Sequence, residues 1–548
     1  MSLFRFKGVL EVSRERDGPS TSKKGRPTKD FEDCADRSKR RKATELASLY
    51  SKEHLDMASA MKCQSSKASS YIPTSIVLAM MMDAELSRHQ YESIKESLQR
   101  EGYNIFPPYS KILDEKKKCY PDEMQFTEST ASVGLQSLLN HTTNRLFESF
   151  TDADVEGMTD SHYTLTSKWG CDGSSGHSEY NQSLQSGVSD KSLLLASIVP
   201  LSLRSTDREY WRNKTPSSTR LCRPISFEFT KETKEKVLEL VDKMNTDIES
   251  LINTEVIVHE RHFTVKHHLL FTMLDGKTAQ TVTKTPSSAV CYICNAKPSE
   301  MNKLDVISKK NYDSDACNLG ISSLHARIKF MECILHIAYN LTFQKWSALN
   351  DENKALKAEN KQRIQKALKD KLGIRVDVVQ QGTGSSNDGN TSRRFFSNPA
   401  LVADITGVDE ELIDRFRIIL QIITCSQKID TTKYKAFAWE TAQRFVLKYE
   451  WFYMPVTVHK VLFHGKEIMD AAVLPIGLLS EEAEEARNKD YRSYRLNFSR
   501  KCDRISTNTD VFHRLLVSSD PFISSRRRQK NKQILELDDV VKDMIEGE

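Results

Sequence analysis

Residues 162–169 read HYTLTSKW, residues 193–203 read LLLASIVPLSL, and residues 256–274 read VIVHERHFTVKHHLLFTML. β-branched and aromatic residues crowd these runs, and the last closes on Asp275-Gly276, a turn signal, so each reads as a strand. Ile225–Phe229 adds another, and together they predict a sheet region. Downstream the period changes. Ser322–Trp346, Asp351–Leu372, Asp409–Ile423, Ala436–Val446 and the charged Glu481–Lys501 place apolar residues at helical spacing, with residues 382–390 as a loop between them. Upstream, Lys39–Met61 and Ser75–Arg100 predict a small helical unit, and a short helix is expected at Leu135–Phe150. Strands followed by helices, with no internal repeat, give an α+β core.

The 548-residue length allows three to four domains, or fewer around one large core. Apolar residues at 38%, charged residues at 28%, and only 20 Gly and 15 Pro argue for a folded chain rather than a low-complexity or disordered one. No apolar run is long enough for a membrane span, and Met1–Lys7 is charged too early for a secretory leader, so an intracellular protein with no membrane partner is expected. Eleven cysteines with only one close pair argue against a disulfide framework. The net charge of +5 is mild, but basic residues cluster at Lys23–Lys42 and Arg526–Lys532. The expected organisation is a flexible arm over 1–22, a basic helical DNA-binding and dimerisation region over 23–105, a linker and pre-core helix over 106–158, a core over 159–515 and a basic tail over 516–548.

Three patterns could carry chemistry. Cys291-Tyr-Ile-Cys294 offers two thiolates to one ion, and His459 and His464 could complete a tetrahedral set. The i, i+5 spacing puts the imidazoles on different faces of a regular helix, so a break is expected between them. The competing reading is two core cysteines and two unrelated histidines. Asp172-Gly173 and Asp275-Gly276 stand at strand ends, where a carboxylate can reach a metal ion, or simply make a turn. Within Glu481-Glu-Ala-Glu-Glu485, helix geometry puts Glu481 and Glu485 on one face. Arg204, Arg208, Arg212, Lys214, Arg220 and Arg223, with Tyr210 and Trp211, read as a polar insertion that either tracks a DNA backbone or is solvated. Arg393 and Arg394 are further candidate phosphate contacts.

In order, Cys171-Asp172-Gly173, Val199-Pro200-Leu201, Leu274-Asp275-Gly276-Lys277, Cys291/Cys294, Leu324-His325, Asp388-Gly389-Asn390, His459/His464 and Ile476-Gly477 leading to an acid resemble the core of Transib transposases and the V(D)J recombination-activating catalytic subunit. Gly25-Arg26-Pro27 followed by Arg37, Lys39, Arg40, Arg41 and Lys42 is similar to that family's nonamer-binding region, which reads A·T-rich minor groove; the alternative for these residues is a nuclear import signal. The resemblance implies a ribonuclease-H-like mixed sheet with inserted zinc-binding and helical regions. It also implies three carboxylates, Asp172, Asp275 and Glu482, that bind two Mg²⁺ or Mn²⁺ ions for DNA cleavage and strand transfer. Asp313, Asp315 and Glu332 are the alternatives to Asp275, and Glu481 is the alternative to Glu482. Structural Zn²⁺ on Cys291, Cys294, His459 and His464, double-stranded DNA with A·T-containing repeat ends, a homodimer and a nuclear location complete the expectation. A catalytically inactive, transposon-derived DNA-binding protein is the alternative function, and an interaction scaffold supported by zinc is a third.

Overall fold

The structure is a computed structural model that describes residues 71–177, 189–380, 384–528 and 536–546. Gly25, Arg26, Pro27, Arg37 and Lys39–Lys42 lie outside the described residues, as do the expected arm and the Lys39–Met61 helix. Every element of regular structure named below belongs to the larger of two compact units, Ile72–Gly102 with Phe106–Glu548. Among the described residues no helix is long and apolar enough to cross a membrane.

The centre is a mixed sheet of eight strands: β1 Met124–Phe126, β2 Thr130–Val133, β3 His162–Ser175, β4 Ser192–Arg204, β5 Glu209–Arg212, β6 Arg223–Glu228, β7 Thr254–Val258 and β8 Arg261–Met273. Its order is β1-β2-β6-β4-β3-β8-β7, with β5 pairing β4. β4 is central and buried on both faces, which is why its sequence is a continuous apolar run rather than an alternating one. Pro200 sits in this strand without a donor for the ladder, and it pairs Ser167 where the β3–β4 register shifts. β1 and β2 come from residues expected to be linker, so the sheet begins before residue 159.

β3 and β8 run parallel, with Trp169 opposite Phe271 and stacked on it at 4.2 Å. The register then shifts so that Gly170 faces Met273. A Cβ at Gly170 would lie 1.7 Å from the Met273 carbonyl oxygen, so only glycine lets the two backbones meet here. Gly170→Ala is expected to cost about 1–3 kcal/mol, as overpacking does elsewhere, and to splay the β3–β8 ends. Urea denaturation reads the first effect; an unchanged midpoint would show that the junction relaxes freely.

Helices cover the sheet. Glu482–Asn497 lies on β3 and β4, Arg504–Ser518 on β2 and β6, and Leu135–Phe147 packs on β7 and on the helix Lys234–Glu249. Their core joins Leu138, Val237, Met244, Tyr491 and Phe512 to Trp169, Leu195 and Phe227. A second, helical body lies in sequence between β8 and Glu482–Asn497, built from Ser323–Asn340, Asp351–Leu372, Glu410–Ile422, Thr431–Tyr449 and Val456–Ala471 around Phe330, Ile334, Phe416 and Phe445. The sequence order of strands before helices is thus the order of two bodies.

Residues expected as a basic tail carry the helix Pro521–Arg526, and its cap Asp520 is fully buried. Arg145 donates to Asp520 through Nε and Nη2 at 2.9 and 3.0 Å, Arg223 Nη1 lies 3.9 Å away, and the Ile523 amide donates at 2.9 Å. Arg223, read from sequence as a possible DNA contact, is instead wholly buried beside this carboxylate. Asp520→Ala would leave the buried Arg223 without its anion and Arg145 with only the half-exposed Glu148, and a loss of about 3–5 kcal/mol is expected. Asp520→Asn keeps the cap but not the charge and should fall between; equal stability of all three proteins would count against the network.

Candidate active site and metal centre

The parallel register decides where the first two acids go. Asp172 lies two residues beyond Gly170 and Asp275 two beyond Met273, so the Gly170–Met273 pair carries both carboxylates to one end of the sheet. Neither Asp-Gly step is a plain turn. Asp172-Gly173 is still inside β3, and Asp275 caps the helix Gly276–Val282, accepting from the Thr278 amide at 2.7 Å. Glu232 joins them from the loop after β6: it pairs with Lys277 at 3.0 Å, and a Cβ at Gly173 would strike its side chain. Burial, then Asp275, Glu232 and Glu485, push the Asp172 carboxyl up to about 7, against a bond from Asn488 that favours its ionised form.

The acidic run resolves by helical phase. Glu482–Asn497 is the helix, and Asn488 Nδ2 donates to Asp172 Oδ2 at 2.7 Å, which fixes the face turned to the sheet end. Glu485 is one turn before Asn488 and acts electrostatically on Asp172 and on His325, with its side chain 40% exposed. Glu482, expected as the third acid, pairs with Arg393 at 2.9 Å. Of the two, it is Glu485, itself paired with Lys489 at 3.1 Å, whose charge acts on Asp172. Glu484 also feels Asp172 but is buried against Cys222 and, through burial, held up to about 8, so no solvent path reaches it. Glu481 is buried and binds Ser322 and His325 Nδ1, the latter at 3.2 Å. Although burial disfavours its charge, His325 is raised to about 9 by Glu481, Asp275 and Glu485 and stands as a cation beside them. The alternatives to Asp275 lie elsewhere: Asp313 caps Ser314–Cys317 by accepting from the Asp315 and Ala316 amides, and Glu332 binds Lys329 and Asn387.

Cys291, Cys294, His459 and His464 do converge, with one ligand atom of each lying within 4.8 Å of the others, all four side chains buried. His459 Nε2 is 3.3 Å from Cys294 Sγ. The expected helix break is not there: Val456–Ala471 runs unbroken through both histidines. Two imidazoles about 140° apart around the axis still close on one point, because the Cys291–Cys294 turn sits between them. His464 Nε2 has no hydrogen-bond partner although buried, and the Cys294 thiol with the two imidazoles holds the Cys291 thiol well below its usual range. Two thiols, two imidazoles and an unsatisfied buried nitrogen fit a tetrahedral soft-metal site.

Residues 165–288 match the family described as the recombination-activation protein 1 (RAG1) RNase H domain. This segment is similar to that domain. The matched residues run from β3 to just past the helix after β8, so Asp172, Glu232 and Asp275 fall inside the RAG1-type segment, and Glu485 and the Cys/His cluster fall beyond it. A solved structure, the Drosophila P element transposase strand transfer complex, aligns over 91% of this chain and 100% of its own at 10% identity, with a TM-score of 0.30, a likeness too slight to carry an argument. No curated protein sequence matches.

Basic groups rim the acid cluster. Lys277 and His325 stand against it, and Arg393 and Arg327 face Glu482. Arg394 is exposed beside Arg393 on the helix Gly389–Phe395, which starts at the end of the expected 382–390 loop. Arg204, Arg208, Arg212 and Lys214 are exposed around β5, with Arg208 over the Tyr210 ring at 5.0 Å. Sequence reasoning missed Glu232 and Asn488, and it noted Glu485 in the acidic run without taking it as the third acid. Asn488 had a usable signal, since it follows Glu485 by one helical turn; Glu232 had none.

Proposed function

We propose that the protein is a transposase or recombinase-type DNA nuclease, in which Asp172, Asp275 and Glu485 hold divalent cations at the end of the RNase H-like sheet. The observation that carries this reading is the convergence of Asp172 and Asp275 through the β3–β8 register inside the RAG1-type segment. The donor set suits a hard cation: oxygen ligands, like charges crowded enough to raise Asp172, and an exposed Glu485 that leaves the site open. Bound Mg²⁺ or Mn²⁺ would activate the attacking oxygen and stabilise the leaving one. The chain's own part is positional. Asn488 orients Asp172, the Thr278 amide orients Asp275, and Lys277, His325 and Arg393 offer positive charge to a phosphodiester.

On the same reading, zinc on Cys291, Cys294, His459 and His464 is structural, because four protein ligands leave no position for a substrate. Gly25–Pro27 and Arg37–Lys42 are proposed to read A·T-containing duplex ends in a nuclear homodimer, on the strength of their resemblance alone. Incubating the full chain with supercoiled and A·T-rich linear duplex in Mg²⁺ or Mn²⁺ tests the reading. Nicking lost on chelation is expected; salt-sensitive binding with no cleavage under either ion would make the protein a DNA-binding descendant that no longer cuts.

A further inference from the structure

Lys168 lies in β3, four residues before Asp172, and its side chain is fully buried. Its Nζ donates to the carbonyl oxygens of Leu478 at 2.8 Å and Ser480 at 2.6 Å, the turn that leads into Glu482–Asn497. Burial lowers the ammonium to about 8, while Cys222, Glu481 and Glu482 nearby favour its charge. A strand lysine buried under a sheet is costly, and its two carbonyl bonds offset only part of that cost. It therefore calls for a reason beyond packing.

The geometry supplies one. The strand is hydrogen-bonded to the acid helix and its lead-in at three places: Lys168 to Leu478 and Ser480, Asp172 to Asn488, and the Ser175 carbonyl to Arg492. Four residues of strand span about 13 Å and eight of helix about 12 Å, so the first two anchors are in step. Glu485 lies between them. Asn488 and Arg492 hold the helix on the C-terminal side of Glu485, and Lys168 supplies the anchor on its N-terminal side, which sets where the first turn starts. We propose that Lys168 is a positioning residue that holds Glu485 against Asp172 by tethering the Leu478–Ser480 turn to β3. The inference rests on the two-metal reading above.

Lys168→Met keeps the length and apolar stem and removes the donor; Lys168→Gln keeps one. The full chain of each is titrated with Mn²⁺ by electron paramagnetic resonance, and single-turnover nicking and melting are recorded beside it. Lys168→Met is expected to weaken Mn²⁺ binding about 10–100-fold, as loss of a group that orients a ligand does, and to slow cleavage by about 10²-fold at saturating ion. Lys168→Gln should lie between. In a Glu485→Gln background Lys168→Met should change Mn²⁺ binding no further, because the ligand it positions is already gone. Earlier melting with wild-type Mn²⁺ affinity, or failure of both variants to fold, would assign Lys168 to general stability and overturn the proposal. Absence of Mn²⁺ binding in the unsubstituted protein is a different outcome, which withdraws the two-metal reading and this inference with it.

Discussion

Asp172→Asn, Asp275→Asn and Glu485→Gln are each expected to lower metal-dependent nicking by at least about 10²–10³-fold, the range seen when one preorganised electrostatic group is removed from an active site. Glu482→Gln should stay within about 10-fold of the parent, because its loss frees Arg393 rather than removing a ligand. The contrast between Glu485 and Glu482 is the informative part. Both are in the same acidic run, three residues apart, and both are partly exposed, so a general effect of negative charge would weaken the two variants alike. Single-turnover rates on a nicked-plasmid assay separate the cases. A silent Glu485→Gln beside a dead Glu482→Gln would mean that the helix is turned differently from the structure, and the Asn488–Asp172 bond would be the first thing to re-examine. Glu232→Gln belongs in the same series. It removes a like charge from beside Asp172, so Mn²⁺ binding should survive it.

Loss of the zinc proposed for the Cys/His cluster is the other large expected effect. Cys291 and Cys294 belong to the core that also holds Ile293, Met301, Val458 and Leu462, and with the buried His459 and His464 they join the segment after β8 to the helix Val456–Ala471. Without an ion that core contains two thiols and two imidazoles with unmatched polar atoms, His459 Nδ1 and His464 Nε2 among them. Structural zinc contributes roughly 10 kcal/mol or more of apparent binding free energy in small modules, so its loss is comparable with the whole stability of an ordinary domain. Cys291→Ser and His464→Ala are expected to lose the metal, read by elemental analysis, and to cost more than about 4 kcal/mol, the range in which metal loss falls. Chelation of the parent protein should reproduce the change, and zinc should reverse it. Full zinc content in either variant, or unaltered melting after removal, would show that the four residues do not share one ion.

How much of this was legible in the chain follows from which interactions are local. The strands at 162–169, 193–203 and 256–274 were readable because β-branched and aromatic residues mark a backbone preference within a few residues. Cys291-Tyr-Ile-Cys294 was readable for the same reason, since its two ligands need only one turn. Asp172 and Asp275 were legible as candidates from their motifs, yet their meeting depends on the parallel β3–β8 register, set by Gly170 against Met273 a hundred residues away. His459 and His464 looked divergent on helical geometry alone, and only the position of the cysteine turn between them makes the spacing work. The acidic run shows the limit most plainly. A helix of that composition is written in residues 481–501, but which of its glutamates faces the sheet is a matter of rotation, and each residue turns the helix by about 100°. That rotation is decided by contacts at Lys168, Asp172 and Ser175, on a strand more than 300 residues earlier. Local propensity and motif order determined the elements and the candidate chemistry. Docking of those elements decided which carboxylates share a site.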